Sequence, residues 1–197
     1  NFNLFNENGE WVAHFESIKS GLINFKLGKQ LRSKEHQNEL WLAFSPIKSN
    51  FFNFMIQKST ELGVTNFIPI IFDRTVVRKI NLDRLRKIVV EASEQSNRIN
   101  IPNIEEPTTL KKFLNKNQKN INLIFTDLNS KTTKLDKNKL LTKYNCIIIG
   151  PEGDFSESER VEIDKFKDIY KLSLGANILR AETAAISALS ILSYELN

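Results

Sequence analysis

From Leu40 onward the chain alternates between two hydrophobic periods. ELWLAFS, VTNFIPIIF, INLIFTD, YNCIIIG and DIYKLSL are apolar runs of strand length, separated by windows where apolar residues recur every three or four positions. NFFNFMIQKSTEL, SESERVEIDKFK and ILRAETAAISALSILSYEL read as helices. In LDRLRKIVVEASEQSNRI, the residues Leu82, Leu85, Ile88, Val89, Ala92 and Ile99 fall along one helical stripe. Strands and helices in alternation predict an α/β layer fold with a mainly parallel sheet. Such folds bind ligands just past the carboxyl ends of their strands. Residues 1–39 read differently. WVAHFES and GLINFKLG alternate apolar and polar positions among Gly9, Gly21 and Gly28, which predicts two or three short antiparallel strands. KQLRSKEHQNE then reads as a polar linker. The Asn- and Lys-rich stretches Lys111–Asn122 and Asp136–Lys143 read as surface.

With 197 residues, 41% of them apolar, the chain has room for one full-sized domain, or a domain with a small companion. No run approaches the roughly 18 apolar residues of a membrane span, and no signal-peptide pattern opens the chain. Position 1 is Asn, which reads as a trimmed chain. Cys146, the sole cysteine, sits inside an apolar run and reads as a buried small hydrophobe, pointing to a reduced, cytoplasmic setting. His14 and His36 lack the partners that metal-ligand spacing needs, so no metal is expected. The net charge of +5 is unevenly spread. Between Asp73 and Lys87, Arg74, Arg78, Lys79, Arg84, Arg86 and Lys87 are opposed only by Asp73 and Asp83. Such a stripe is either the footprint of a polyanion or a solvated helix face, and charge alone does not decide between them.

Candidate chemistry gathers at the glycines. In CIIIGPEGDFSESE an apolar strand enters Gly150-Pro151-Glu152-Gly153, and Ser156 and Glu159 follow at capping-box spacing. Gly150 and Gly153 stand where positive φ, or close approach of a ligand to the backbone, would require glycine. The stretch is neither a P-loop nor a G-x-G-x-x-G fingerprint, and no G-x-S-x-G elbow exists. LSLGANILRAETAA repeats the pattern of strand, Gly175 and helix start. Two such loops at neighbouring strand ends can bracket a flat apolar ligand whose polar edge is read by backbone groups. In EASEQSNRINIP, Glu94 and Arg98 are spaced to share a helical face, where the plain reading is a surface ion pair.

IQKSTELGVTNFIPI (Ile56–Ile70), DRTVV (Asp73–Val77), EASEQSNRINIP (Glu91–Pro102), IIGPEGDFSESE (Ile148–Glu159) and LGANILRAETAA (Leu174–Ala185) resemble, in order and spacing, one family. It is the ribosomal RNA small-subunit methyltransferase E family, bacterial SPOUT-superfamily enzymes that methylate N3 of a uridine in small-subunit ribosomal RNA with S-adenosylmethionine. The resemblance implies a SPOUT methyltransferase domain over residues 39–197 with a C-terminal trefoil knot, a rare exception to unknotted chains. Residues 1–38 resemble the latter part of a PUA-like β-barrel. It further implies a homodimer with the RNA site shared across the interface. The cofactor loops map onto Thr126, Ile149, Gly150, Pro151, Glu152, Gly153, Leu174, Gly175, Ile178, Leu179 and Arg180.

Methyl transfer from a sulfonium asks the protein for orientation, a dry pocket and help in removing the uracil N3 proton. Within the resemblance, Arg98 is the candidate that orients the base and stabilises its anion, and Glu94 the candidate proton acceptor. Arg180 would position RNA or organise the knot with Glu182 as partner, and Glu152 would accept backbone N–H groups of the cofactor loop. Arg74, Arg78, Lys79, Arg84, Arg86 and Lys87 would meet RNA phosphates. One position departs from the family, which reads G-P-E-G-G-F where this chain has Asp154. Asp tolerates the left-handed conformation better than most residues, and its charge would suit a cationic cofactor. Two other readings stay open. One is a non-catalytic RNA-binding or ribosome-assembly protein on a knotted fold, which cofactor affinity would separate. The other is a nucleotide-dependent oxidoreductase, which lacks its glycine fingerprint.

Overall fold

The computed structural model describes residues 1–6, 8–33, 38–127 and 137–196. Three antiparallel strands come first, β1 (Phe2–Asn6), β2 (Gly9–Lys19) and β3 (Leu22–Ser33), in the order β1-β2-β3. The second and third are 11 and 12 residues long rather than short. Their hairpin turns through Ser20 (φ 51) and Gly21 (φ 78), the paired positive φ that a two-residue hairpin loop needs. Because β3 runs to Ser33, the start of the expected linker is strand. Residues 34–37, His36 among them, lie outside the described residues.

A second, parallel sheet follows. Its strands are β4 (Leu40–Phe44), β5 (Asn66–Ile71), β6 (Asn103–Ile104), β7 (Thr108–Thr109), β8 (Ile121–Thr126), β9 (Tyr144–Ile149) and β10 (Ile169–Leu172). They run β10-β8-β9-β4-β5-β6, with β7 also pairing with β5. The helices are α1 (Ser49–Glu61), α2 (Leu82–Gln95), α3 (Leu110–Asn117), α4 (Lys137–Leu140), α5 (Glu157–Asp164) and α6 (Ala181–Leu196). The period-2 pleat divides each strand between two cores. In β9, Ile147 and Ile149 pack with Met55, Leu85 and Leu189 of α1, α2 and α6. Cys146 and Ile148 point the other way, to Phe113, Leu114 and Ile163 of α3 and α5. Cys146 is fully buried, which pushes its thiol above the usual range.

Three expectations are corrected. Lys111–Asn122 is not merely surface, because most of α3 lies in it. The Thr109 side chain accepts from the Lys112 N–H, and Leu110, Phe113, Leu114 and Asn117 turn inward. Lys111, Lys112, Asn115 and Lys116 occupy the outer face. Asn122 is itself buried in β8 and donates to the Lys139 carbonyl and Asn145 Oδ1. Of the second stretch, Asp136 lies outside the described residues, and α4 buries Leu140. The α2 helix stops at Gln95 rather than running on to Ile99, because Asn97 adopts φ 58 just beyond the Ser96 cap. The last helix begins at Ala181, which leaves Ile178, Leu179 and Arg180 in the preceding loop.

Candidate functional site

The ladder registers align the carboxyl ends of the parallel strands. Leu172 pairs with Thr126, Phe125 with Ile148, and Phe44 with both Ile149 and Pro69. The carboxyl ends of β8 and β9, at Thr126 and Ile149, and the segments after β9 and β10 carry every candidate cofactor residue, and they therefore lie on three adjacent strands at one edge of the sheet. The turn after β5, Asp73–Thr75, joins them from the other side of β4.

At this edge the Gly150–Asp154 turn is built from both flanks. Ser156 and Glu159 form a full capping box: Ser156 Oγ accepts from the Glu159 N–H, and Glu159 Oε2 accepts from the Ser156 N–H at 2.8 Å. The same pair reaches across to the turn after β5. Glu159 Oε1 accepts from the Asp73 N–H at 2.8 Å, and Ser156 Oγ donates to Asp73 Oδ2 at 2.7 Å. Arg74 Nη1 donates to the Gly153 carbonyl at 2.9 Å. Thr75 Oγ1 accepts from the Phe72 N–H and bonds Ser45 Oγ after β4. Glu152 was expected to accept backbone N–H groups in this loop; it is exposed and makes no such bond among the described residues, where the buried Glu159 accepts the Asp73 and Ser156 N–H groups.

The glycines play different parts from those expected. Neither Gly150 nor Gly153 has positive φ; in this turn it is Asp154 that does, at 64°. Gly150 is needed for packing, since a Cβ there would lie 2.6 Å from Phe155 Cε2. That ring is wedged edge-on against Phe72 and Phe125. Asp154 Oδ1 accepts from the Phe155 N–H at 2.8 Å, and its Oδ2 is held by Arg160 Nη2 at 2.6 Å. Arg160 Nη1 bonds Asp127 Oδ1, also at 2.6 Å, just beyond β8. No local pattern in the sequence announces Asp127 or Arg160, which are paired across 33 positions.

The loop after β10 is open. Gly175 has φ 124, with nothing within 4 Å of where a Cβ would stand. Ile178 is 85% exposed. Among the described residues, no hydrogen bond is made by the backbone N–H or C=O groups of Leu174–Leu179. Arg180 is exposed, and its carbonyl accepts from the Ala184 N–H to start α6. Its guanidinium lies 5.2 Å from the ring centre of Phe51 rather than pairing with Glu182, which is buried in the first turn of α6. Thr126 Oγ1 donates to the Ile148 carbonyl, tying the end of β8 to β9.

Arg98 and Glu94 lie elsewhere. Arg98 is 8% exposed, and its Nη1 donates to the Thr60 and Val64 carbonyls at the C-terminal end of α1. Val64 precedes β5, so within one chain Arg98 sits at the amino edge of the sheet. A six-residue strand, about 20 Å, separates it from the carboxyl edge. Burial lowers its pKa to about 10, still far above neutral, so the guanidinium remains a cation. Glu94 is exposed and does not share a helical face with Arg98, because α2 has ended. Asn97 between them is gripped by Arg32 of β3, whose Nη1 and Nη2 donate to the Asn97 carbonyl and Oδ1 at 3.0 and 2.9 Å.

All six cations of the basic stretch are exposed, Arg74, Arg78 and Lys79 in the loop after β5 and Arg84, Arg86 and Lys87 on α2. Arg74 is committed to Gly153, and Arg86 pairs with Asp83. The side chains of Lys79, Arg84 and Lys87 make no ion pair among the described residues. A shallow cleft of about 660 Å³ runs past Lys79, Asn81 and Arg86.

Residues 34–193 match the RNA methyltransferase domain family. A ribosomal RNA small subunit methyltransferase E from Rickettsia conorii is 36% identical over 190 residues, covering 95% of this chain and 78% of that protein. This chain belongs to the ribosomal RNA small subunit methyltransferase E family. The crystal structure of the Neisseria gonorrhoeae member bound to S-adenosyl methionine superposes with a TM-score of 0.86 at 25% identity, over 98% of this chain and 83% of that one. A methyltransferase from Legionella pneumophila in complex with the same cofactor gives 0.78 at 30% identity, over 98% and 81%. The family placement agrees with the resemblance carried by the glycine turns.

Proposed function

We propose that the chain transfers a methyl group from S-adenosylmethionine to N3 of a uridine in small-subunit ribosomal RNA. The observation that carries this reading is the alignment of the carboxyl ends of β8, β9 and β10 at one sheet edge, with the glycine turns after β9 and β10, in a chain of this family. The relatives are named as small-subunit ribosomal RNA methyltransferases, and two related structures hold the cofactor. The loop after β10 suits such a ligand: backbone donors and acceptors not used within the described residues, an open glycine and an exposed Ile178 fit a flat ring with a polar edge.

Thr126, Ile149–Gly153 and Leu174–Arg180 would hold the cofactor, which supplies the electrophilic methyl carbon when bound. The remaining work falls to the chain. The turn fixed by Glu159, Asp73 and Arg74 keeps its backbone in place, so little ordering remains for binding. Lys79, Arg84 and Lys87, with Arg74, Arg78 and Arg86, would meet RNA phosphates and set the substrate's register. Glu94 and Arg98 stand at the opposite edge of their own sheet, so a part in the chemistry requires a second copy of the chain. The reading therefore includes a homodimer with a shared RNA site, a trefoil knot formed by the C-terminal loops, and action in the cytoplasm. In it Glu94, in the last turn of α2, is the proton acceptor, and Arg98, which anchors the segment after that helix, orients the base and lends its charge to the anion.

The test is methyl transfer from labelled S-adenosylmethionine to small ribosomal subunits from cells that lack the modification, with the product nucleoside identified. N3-methyluridine is expected. Another methylated nucleoside would overturn the N3 assignment. No transfer together with no cofactor binding would favour a non-catalytic RNA-binding role.

A further inference from the structure

We infer that Arg160 is a positioning residue that straps the carboxyl end of β8, at Asp127, to the turn after β9, making one cofactor-binding edge; this rests on the cofactor reading above. Arg160 stands in the first turns of α5, a helix already fixed by its capping box and by the Asp73 contacts. From that base its fork divides between two carboxylates, Nη1 to Asp127 and Nη2 to Asp154, each at 2.6 Å. The Asp127 and Arg160 side chains are 9% and 19% exposed, so this arm is shielded from water, while Asp154 at 58% forms the outer arm. The guanidinium also lies 5.9 Å from the centre of the Phe155 ring, the same ring that fills the space beside Gly150.

The two anchors adjoin the cofactor residues: Asp127 follows Thr126, and Asp154 follows Gly153. A glycine at 154 would satisfy the positive φ but could not be gripped. Asp154 satisfies the φ and uses both carboxylate oxygens, one on the Phe155 N–H and one on Arg160. Asn97 is treated alike: it has φ 58, and Arg32 holds its side chain. An arginine's planar fork suits such a bridge, since both arms are set by one rigid group. Holding the end of β8 and the turn after β9 together before the ligand arrives lowers the ordering cost of binding.

The experiment titrates the full chain with S-adenosylmethionine by calorimetry and measures amide exchange in the cofactor-free protein. The wild type is compared with Arg160→Met, Arg160→Lys and Asp154→Asn. Arg160→Met is expected to weaken the cofactor Kd about tenfold, a change of one pK unit, and to speed exchange at Gly153–Phe155. The loss should appear in KM for the cofactor and leave KM for RNA unchanged, with Arg160→Lys intermediate. A folded Arg160→Met with a Kd within twofold of wild type would overturn the inference. If that variant does not fold, Asp154→Asn decides: it keeps the left-handed turn and loses the charge, and is expected to bind about threefold more weakly. Unchanged Kd and exchange in it would overturn the strap. A wild type that binds no cofactor would instead sink the cofactor reading, and the exchange rates would then judge the strap by itself.

Discussion

Phe155 Cε2 lies 2.6 Å from the point that a Cβ on Gly150 would occupy. The ring cannot retreat, because Phe72 and Phe125 close on it with centroid distances of 5.2 and 5.1 Å. Gly150→Ala therefore forces overpacking at the base of the turn and should cost about 1–3 kcal/mol. Gly153→Ala meets Arg74 Cβ at an ordinary 3.4 Å with no positive φ, and should cost less than about 1 kcal/mol. Urea unfolding of both variants checks the contrast, and Phe155→Leu in the Gly150→Ala background should recover part of the loss.

Arg98 carries a heavier structural duty than its position in the EQSNR stretch suggested. Removing its guanidinium leaves the Thr60 and Val64 carbonyls facing a buried gap. Each lost buried partner costs roughly 1–3 kcal/mol, so Arg98→Met should destabilise by about 3 kcal/mol or more. Chemical denaturation measures this. The catalytic part is judged separately: a folded Arg98→Ala with near-normal methyl transfer would remove Arg98 from the chemistry.

The strands β4, β5, β8, β9 and β10, the major helices and the capping box were legible because each rests on local periodicity or on a spacing of three residues; β6 and β7, two residues each, are too short to show a period. The helix α3 was legible too, since Leu110, Phe113 and Leu114 have helical spacing, but its Lys and Asn residues dominated the reading by composition. The end of α2 was not legible, because nothing local marks Asn97 as left-handed; Asn is only one of the few residues that tolerate it. The site shows the same limit. Gly150 looked like a ligand glycine, yet its neighbour Phe155 sets its identity through tertiary packing. Contacts such as Glu159 with Asp73, 86 positions apart, follow from sheet order and from no motif.

Asp154 holds φ 64, which Gly adopts freely, Asp tolerates and Ala resists. Asp154→Gly should leave cofactor affinity within a few-fold, because the turn survives and what is lost is the local bond to the Phe155 N–H and the outer, exposed arm of the Arg160 bridge. Asp154→Ala loses that arm and also strains the backbone, by about 1 kcal/mol beyond the Gly variant. Thermal unfolding of the pair, with calorimetric cofactor titration, reads both effects. A tenfold affinity change in Asp154→Gly would show that the charge itself tunes the site.

Glu10 reports on the docking of the N-terminal sheet. The hydrogen bond from Arg32 Nε holds its carboxyl below the usual carboxylate range, with a smaller contribution from Asn3. A depressed folded pKa means that the pair's stabilisation is present above the ordinary value of about 4.5 and is lost as pH falls through the folded value. The contribution is about 1 kcal/mol or less for a single pair near the surface, whose Arg32 and Glu10 side chains are 29% and 13% exposed. An NMR titration should find Glu10 below its usual midpoint in the wild type and back near it in Arg32→Ala. In that variant the Asn97 side-chain amide should also lose its fixed environment, because the same guanidinium holds both.

The basic stretch separates into cations that are occupied and cations that are available. Arg74 braces Gly153, and Arg86 pairs with Asp83, so altering either disturbs the protein as well as any ligand. Arg84 is exposed on α2, and among the described residues the Arg78 side chain makes only a long 3.4 Å bond to the Asp73 carbonyl. Reversing Arg78 and Arg84 to Glu should therefore leave the unfolding midpoint close to wild type. If both meet phosphates, the salt dependence of RNA binding should flatten by about one to two units in log K against log salt, because fewer counterions are released. Cofactor affinity, set at the sheet edge, should not move. Unchanged RNA affinity and slope in the double variant would make the stretch a solvated face and send the search for the RNA-binding surface elsewhere on the chain.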